Sequence, residues 1–141
     1  MQPVTVRHQG GDLFAISVRG HEFFVDQPID DGGEDKAPTP TELFVASLAS
    51  CVAFYARRYL KRHSLSEDGL SVTASYEIGG RPAHVTDLKV ELTLPASMPA
   101  ARRDALLAVA SHCTVHNTLL APPEVEIVLA DPVDSVDPAD S

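Results

Sequence analysis

A capped, uncharged helical segment in the first half of the chain constrains the fold more than any other feature of the sequence. It starts at Thr39-Pro40-Thr41-Glu42, which has a capping threonine, a proline at the first helical position and a glutamate at the third. Residues 43–56 carry no charge, and basic residues then crowd the C-terminal end, where cations interact favourably with the helix dipole. A helix that is apolar on nearly all sides has to be buried on most of its faces. The sequence therefore predicts a long, buried central helix over about residues 40–63.

Short segments of alternating polarity on both sides of this helix predict β-strands separated by turns that contain glycine or proline. A second helix is predicted over about residues 98–112. The resulting order is β-β-β-α-β-β-α-β, in which strands are grouped rather than alternating one for one with helices. That grouping indicates an α+β fold with largely antiparallel sheets. The predicted strands are residues 4–8, 13–18, 21–25, 70–78, 85–94 and 125–129.

The length and charge of the chain limit its organisation and its partners. Its 141 residues correspond to one domain, which we place at residues 1–130, followed by a disordered acidic tail at 131–141. Eleven Lys and Arg against 20 Asp and Glu give a net charge of −9, which disfavours nucleic acid and anionic membranes as partners. The N-terminal residues lack the apolar segment of a secretory signal, so we expect a cytoplasmic protein.

Two cysteines, Cys51 and Cys113, are the main candidates for chemistry. In a reducing compartment a thiol pair is more often buried and inert, metal-binding or redox-active than a structural disulfide. Cys51 is about 16 Å from the start of the predicted helix, too far for the helix dipole to activate it. A reactive Cys51 would therefore need a cationic side chain nearby, most plausibly an arginine. Cys113 and His116, with His112 adjacent, have a spacing that suits metal ligands, but a zinc site needs four.

Glu42 has a complete explanation as the carboxylate of the capping box. It precedes Cys51 by nine residues, which at about 100° per residue places it on the opposite face of the helix. The two side chains could therefore cooperate only through a bridging group, a bent helix or a second subunit.

Two segments of the chain resemble the motifs of the OsmC/Ohr family. Residues 38–51, PTPTELFVASLASC, are similar to its first-cysteine motif, in which a Pro-x-Glu-Leu stretch opens a long central helix. Residues 112–119, HCTVHNTL, are similar to its second motif, a cysteine followed by an Asn-Thr-Leu-like segment. The order of strands and helices also matches, over about residues 3–130. The resemblance implies an OsmC-like fold and an intertwined homodimer, in which the central helices pack together and each active site is built from both subunits.

The resemblance also implies a Cys-based peroxidase that reduces small organic hydroperoxides in oxidative stress defence. Cys51 would become a sulfenic acid, and Cys113 would resolve it as a Cys51–Cys113 disulfide, which an external dithiol reduces. No cofactor and no metal is implied. The apolar wall for the substrate would come from Leu43, Phe44, Leu48, Phe54 and Tyr55.

Three departures place this chain in the broad OsmC-like branch rather than in the dedicated hydroperoxide-resistance branch. The turn Gly10-Gly11-Asp12 lacks that branch's arginine, Thr41 replaces its additional glutamate, and Thr114 stands where a proline is common. The supporting cation would then be Arg19, which we rank first because it lies at a strand turn, or Arg7, or an arginine of the partner. The candidate catalytic residues are therefore Cys51, Cys113, Glu42 and Arg19. A non-catalytic dimeric module that binds a small apolar ligand is the alternative.

Overall fold

The computed structural model describes residues 2–132, within which five strands and three α-helices form. This architecture confirms the predicted α+β class and its antiparallel sheets. Nearly all of the predicted tail at 131–141 lies outside the described residues. The strands are β1 (Thr5–Gly10), β2 (Leu13–Val18), β3 (His21–Val25), β4 (Ser71–Gly79) and β5 (His84–Thr93), and the helices are α1 (Pro40–Arg62), α2 (Arg103–Ser111) and α3 (Thr114–Leu120).

The capping box begins α1 as predicted. Thr39 Oγ1 accepts the Glu42 backbone N–H at 3.1 Å, and the Glu42 carboxylate accepts the Thr39 backbone N–H at 2.8 Å. These two bonds satisfy donors that the first helical turn would otherwise leave unpaired. The helix ends at Arg62, within one residue of the predicted end.

One face of α1 is buried within the protomer, rather than most faces as predicted. The opposite side exposes large aromatic residues, since Phe44 is 39% and Phe54 is 53% exposed. A two-stranded sheet and two short helices can cover only one side of a 23-residue helix. The buried residues are Val45, Leu48, Val52, Ala56, Tyr59 and Leu60.

The strands form two separate antiparallel sheets. β1, β2 and β3 form a meander in that order, and β4 pairs with β5 along nearly its whole length. α1 contacts β4, β5, α2 and α3, whereas the strands of the N-terminal sheet contact chiefly one another. The core of the protomer therefore lies between α1, the β4–β5 sheet and the two short helices, and it includes Cys113.

The predicted sixth strand at residues 125–129 does not form within the protomer. The segment has no regular secondary structure and makes no strand pairing with the described residues. Val125, Ile127 and Leu129 are 78%, 92% and 99% exposed. An apolar alternating sequence becomes a strand only where a sheet edge supplies hydrogen-bonding partners, and this protomer brings none to it.

The second helical region differs from its prediction in being divided. A 3-10 turn at Ala100–Arg102 precedes α2, and a further helix, α3, begins directly after Cys113. Sequence analysis missed α3 because a cysteine caps its start, whereas the usual capping residues are Ser, Thr, Asp and Asn.

By length and composition alone, α1 could span a membrane. The core helix of a soluble protein meets the same criterion. In this structure one face of α1 is packed against β4, α2 and α3, which is the arrangement of a core helix.

Candidate active site

The two cysteines meet where α1 packs against the start of α3. Cys51 is half-buried on α1, and Cys113 is completely buried at the N-cap of α3. Both are free thiols, and Cys51 packs against the buried cluster that contains Cys113, near enough to raise the pKa of the Cys113 thiol. Cys113 Sγ also accepts the backbone N–H of His116 at 3.4 Å. The fold thus places two thiols that are distant in sequence side by side.

The environment of Cys113 favours its neutral form. Burial raises the pKa of the Cys113 thiol, and the adjacent Cys51 raises it further. The backbone N–H groups of His116 and Val115 act in the opposite direction but do not offset burial. Because an ordinary cysteine pKa is already about 8.5, Cys113 is protonated at neutral pH. Of the two thiols, Cys51 is the one that solvent can reach.

The other two candidate residues lie apart from this thiol pair in the protomer. Glu42 is exposed at the start of α1, where its carboxylate serves the capping box. Arg19 is exposed in the tight turn between β2 and β3, where it adopts a φ of 48° beside Gly20 at 79°. Among residues 2–132, no hydrogen bond or ion pair joins either side chain to Cys51. The structure therefore brings Cys51 and Cys113 together but not Glu42 or Arg19.

Tyr55 links the two elements that carry the cysteines, a feature that sequence analysis missed. Its hydroxyl is 3.1 Å from Thr114 Oγ1. Tyr55 follows Cys51 by one helical turn, and Thr114 follows Cys113 directly. Because residues four apart share a helix face, the Cys51–Tyr55 spacing could have indicated their proximity, but nothing in the sequence indicated the partner on α3.

An aromatic and cationic cluster surrounds the Tyr55 ring. Phe54 meets it edge to face, with ring centroids 5.4 Å apart and planes at 87°. The Arg58 guanidinium carbon lies 5.5 Å from the Phe54 centroid and 5.6 Å from the Tyr55 centroid. Such edge-to-face and cation–π contacts hold a ring in one orientation.

An apolar cavity of about 370 Å³ opens between α1, β5 and the two short helices. Of the predicted substrate wall, Leu48 lines this cavity, whereas Phe44 and Phe54 lie on the exposed side of α1. Neither cysteine lines it. The lining residues are Leu48, Val52, Leu88, Val90, Leu92, Leu107, Ser111, His116, Leu119 and Leu120.

The histidines near Cys113 are used within the chain. A His116 ring nitrogen bonds the Ser111 carbonyl, and a His112 ring nitrogen bonds the Ala108 carbonyl. Across the described part of the chain, no three His, Cys, Asp or Glu side chains are grouped as metal ligands.

Comparison with protein families gives one match, in which the model described as OsmC-like protein covers residues 33–128. That span includes α1, β4, β5 and both cysteines. No curated protein gives a significant match.

Solved structures with the same fold come from several bacteria. A Psychrobacter arcticus protein named for osmotic stress induction and detoxification has a TM-score of 0.77 at 21% identity, covering 84% of this chain and 88% of its own. An organic hydroperoxide resistance protein OsmC from Legionella pneumophila has a TM-score of 0.63 at 22% identity, with coverages of 84% and 88%. An organic hydroperoxide resistance protein from Elizabethkingia anophelis has a TM-score of 0.65 at 21% identity, with coverages of 84% and 86%. At these identities the likeness establishes a shared fold.

Proposed function

Because this chain belongs to the OsmC-like protein family, we propose that it is a thiol-dependent peroxidase that reduces organic hydroperoxides. The observation that carries the proposal is the contact between an accessible thiol, Cys51, and a buried, protonated one, Cys113. A two-step thiol peroxidase needs this difference in solvent access. One sulfur has to react with the peroxide, and the other has to react only with the sulfenic acid that results. The names of structural relatives from Legionella pneumophila and Elizabethkingia anophelis agree with this activity.

The reaction proceeds in two balanced steps. The Cys51 thiolate attacks one peroxide oxygen, so that an S–O bond forms, the O–O bond breaks and the alkoxide leaves as an alcohol after taking a proton. Cys51 is thereby oxidised to a sulfenic acid. Cys113 then loses its proton and attacks the Cys51 sulfur, which forms the disulfide and releases water. An external dithiol, oxidised in exchange, returns both cysteines to thiols.

The surroundings of Cys51 favour a peroxide with an apolar group. Phe44 and Phe54 precede and follow Cys51 on the same side of α1, at separations of seven and three residues. Both rings are substantially exposed in the protomer. An alkyl or aryl hydroperoxide can pack against these rings while its peroxide group reaches the sulfur, whereas hydrogen peroxide gains nothing from them.

We also propose a homodimer that completes the site. The exposed aromatic side of α1 and the exposed segment at 125–129 together leave apolar surface that a second copy of the chain would cover. A sheet edge of the partner would supply the strand pairing that the segment at 125–129 lacks. The partner would also bring Arg19 and Glu42 to the thiol pair, which the protomer alone does not do. A cytoplasmic location, where dithiol reductants are abundant, fits this chemistry.

The roles of the two cysteines are tested by single substitutions with cumene hydroperoxide as substrate. Cys51→Ser should abolish peroxide consumption, because the attacking sulfur is lost. Cys113→Ser should react once and leave a sulfenic acid on Cys51, which dimedone traps for detection by intact-protein mass spectrometry. Full activity in Cys51→Ser, or no dimedone adduct in Cys113→Ser, would refute the peroxidase proposal.

A dimeric module that binds a small apolar ligand without catalysis is the second candidate function. The specific observation in its favour is the apolar cavity of about 370 Å³, which the thiols do not line. The two functions are separated by thiol titration after one equivalent of cumene hydroperoxide. Loss of two thiols per chain supports the peroxidase, and retention of both supports the binding module.

A further inference from the structure

We infer that Tyr55 is a positioning residue for disulfide formation, because its hydroxyl holds Thr114 and thereby keeps Cys113 beside Cys51. This inference rests on the proposed peroxidase function and concerns its second step. The Tyr55–Thr114 bond of 3.1 Å joins the two elements that carry the cysteines, because Tyr55 lies one helical turn after Cys51 and Thr114 directly follows Cys113.

The link is specific to the junction of α1 and α3. Among residues 2–132, Tyr55–Thr114 is the only hydrogen bond between side chains of these two helices. α3 has seven residues, and most of its side chains are exposed. Burial of Cys113 anchors the start of α3, and the Tyr55 hydroxyl fixes the residue that follows it.

The Tyr55 ring is itself held in place. Phe54 contacts its edge, and the Arg58 guanidinium lies over both rings. A ring that is already oriented loses little further freedom when its hydroxyl bonds to Thr114. Phe54 and Arg58 therefore hold the Tyr55 hydroxyl in the position from which it bonds to Thr114.

Disulfide formation is the step that depends on this geometry. A disulfide requires Cβ atoms about 3.5–4.5 Å apart and a narrow range of torsion angles. When Cys113 attacks the Cys51 sulfenic acid, the S–S bond forms and the S–O bond breaks, with the oxygen leaving as water. The attack of Cys51 on the organic hydroperoxide requires no particular position of α3. Loss of the Tyr55 or Thr114 hydroxyl should therefore slow the second step. It should leave the first step unchanged, because Tyr55→Phe keeps the aromatic ring that the expected substrate wall would use.

The experiment measures how the Cys51 sulfenic acid divides between dimedone and Cys113. The protein is oxidised with one equivalent of cumene hydroperoxide in the presence of dimedone, and the adduct and disulfide are quantified by intact-protein mass spectrometry. Tyr55→Phe and Thr114→Val each remove one hydroxyl, and we expect disulfide formation to slow by roughly two- to tenfold, which corresponds to one hydrogen bond. Thr114→Ser, which keeps the hydroxyl, should give the same ratio of dimedone adduct to disulfide as the wild-type protein. The double variant should be no slower than either single variant.

Tyr76→Phe is the matched control, since Tyr76 lies half-buried on β4 and makes no side-chain hydrogen bond within residues 2–132. It should leave both steps unchanged. The positioning role would be overturned if Tyr55→Phe gave the wild-type ratio of dimedone adduct to disulfide. It would also be overturned if Tyr55→Phe slowed sulfenic acid formation and disulfide formation equally. Failure of the wild-type protein to form any sulfenic acid would instead refute the peroxidase proposal, so the two failures are distinguishable.

Discussion

The side chain of Cys113 lies against that of Cys51 and yet is completely enclosed, while Cys51 remains open to solvent. Burial also raises the pKa of the Cys113 thiol, which keeps it protonated at neutral pH. The two sulfurs are therefore near neighbours that should behave differently towards any reagent dissolved in water.

Alkylation should distinguish the two thiols directly. Iodoacetamide at neutral pH should label Cys51 at least about tenfold faster than Cys113, since alkylation requires both access and a thiolate. Peptide mass spectrometry after short labelling times measures the two rates. In urea the rates should become similar, which is the internal control. Equal labelling of both thiols in the folded protein would contradict the assigned roles.

Burial of Cys113 should also make stability depend on pH in the alkaline range. The pKa of Cys113 is raised in the folded state, so the neutral thiol contributes to the free energy of unfolding. This contribution is fully present below the unfolded-state pKa of about 8.5 and is lost as the pH rises through the folded-state pKa. Urea unfolding at several pH values from 8 upwards measures this loss.

Cys113→Ala is the reference for that experiment. It should show a smaller decline in the free energy of unfolding than the wild-type protein, because other groups that titrate in this range are common to both. Equal declines in the two proteins would show that ionisation of Cys113 does not contribute to the pH dependence of the free energy of unfolding.

The capping box illustrates what sequence alone can predict. Thr39 and Glu42 act within one helical turn, so their spacing in the sequence determines their contact, and the predicted bonds form. The proximity of Cys51 and Cys113, in contrast, was expected from the family resemblance alone, because no local rule relates residues on different helices. The Tyr55–Thr114 bond could not be predicted for the same reason.

The segment at 125–129 shows a different limit. Its alternating apolar residues predict a strand, but a strand is a property of two paired segments, and residues 2–132 provide no partner for it. The helix α3 was missed for a local reason, since the Cys113 thiol takes the place of the usual capping hydroxyl or carboxylate.

Two substitutions separate the structural role of Glu42 from a catalytic one. Glu42→Ala removes the capping bond and should lower the free energy of unfolding by about 0.5–2 kcal/mol, whereas Glu42→Gln keeps an acceptor and should change it little. If the carboxylate also holds the supporting arginine in the dimer, Glu42→Gln should slow the reaction of Cys51 with cumene hydroperoxide. Chemical denaturation measures the free energy of unfolding, and dimedone labelling measures the reaction of Cys51. Unchanged labelling in Glu42→Gln would show that Glu42 acts only as a helix cap.

The proposed homodimer should depend on the exposed apolar segment at 125–129. Ile127 is 92% exposed in the protomer, so Ile127→Lys removes no core packing, yet it places a charge where the partner's sheet would bind. Sedimentation velocity at micromolar concentration should show a shift from dimer towards monomer. Ile29→Lys, at another exposed isoleucine, is the control and should leave the dimer intact. A folded wild-type monomer at this concentration would contradict the proposal.

The final prediction concerns the cation that supports the Cys51 thiolate. The N-terminus of α1 is too far from Cys51 to serve, and the His116 N–H at the start of α3 is bonded to Cys113. A side chain is therefore the stronger source of charge for Cys51, and Arg19 in the exposed β2–β3 turn is the first candidate. A cation within about 4–6 Å of an ionising group favours its charged form by one unit of pKa or more, so Arg19→Gln should slow sulfenic acid formation at neutral pH about tenfold or more. The rate is measured by consumption of cumene hydroperoxide in a single turnover, with Arg81→Gln, at an exposed arginine in the β4–β5 turn, as the matched control. The defect should shrink at high pH, where formation of a thiolate no longer depends on a nearby cation, whereas a variant that had merely lost structure would remain slow. An unchanged rate in Arg19→Gln would exclude Arg19 as the supporting cation.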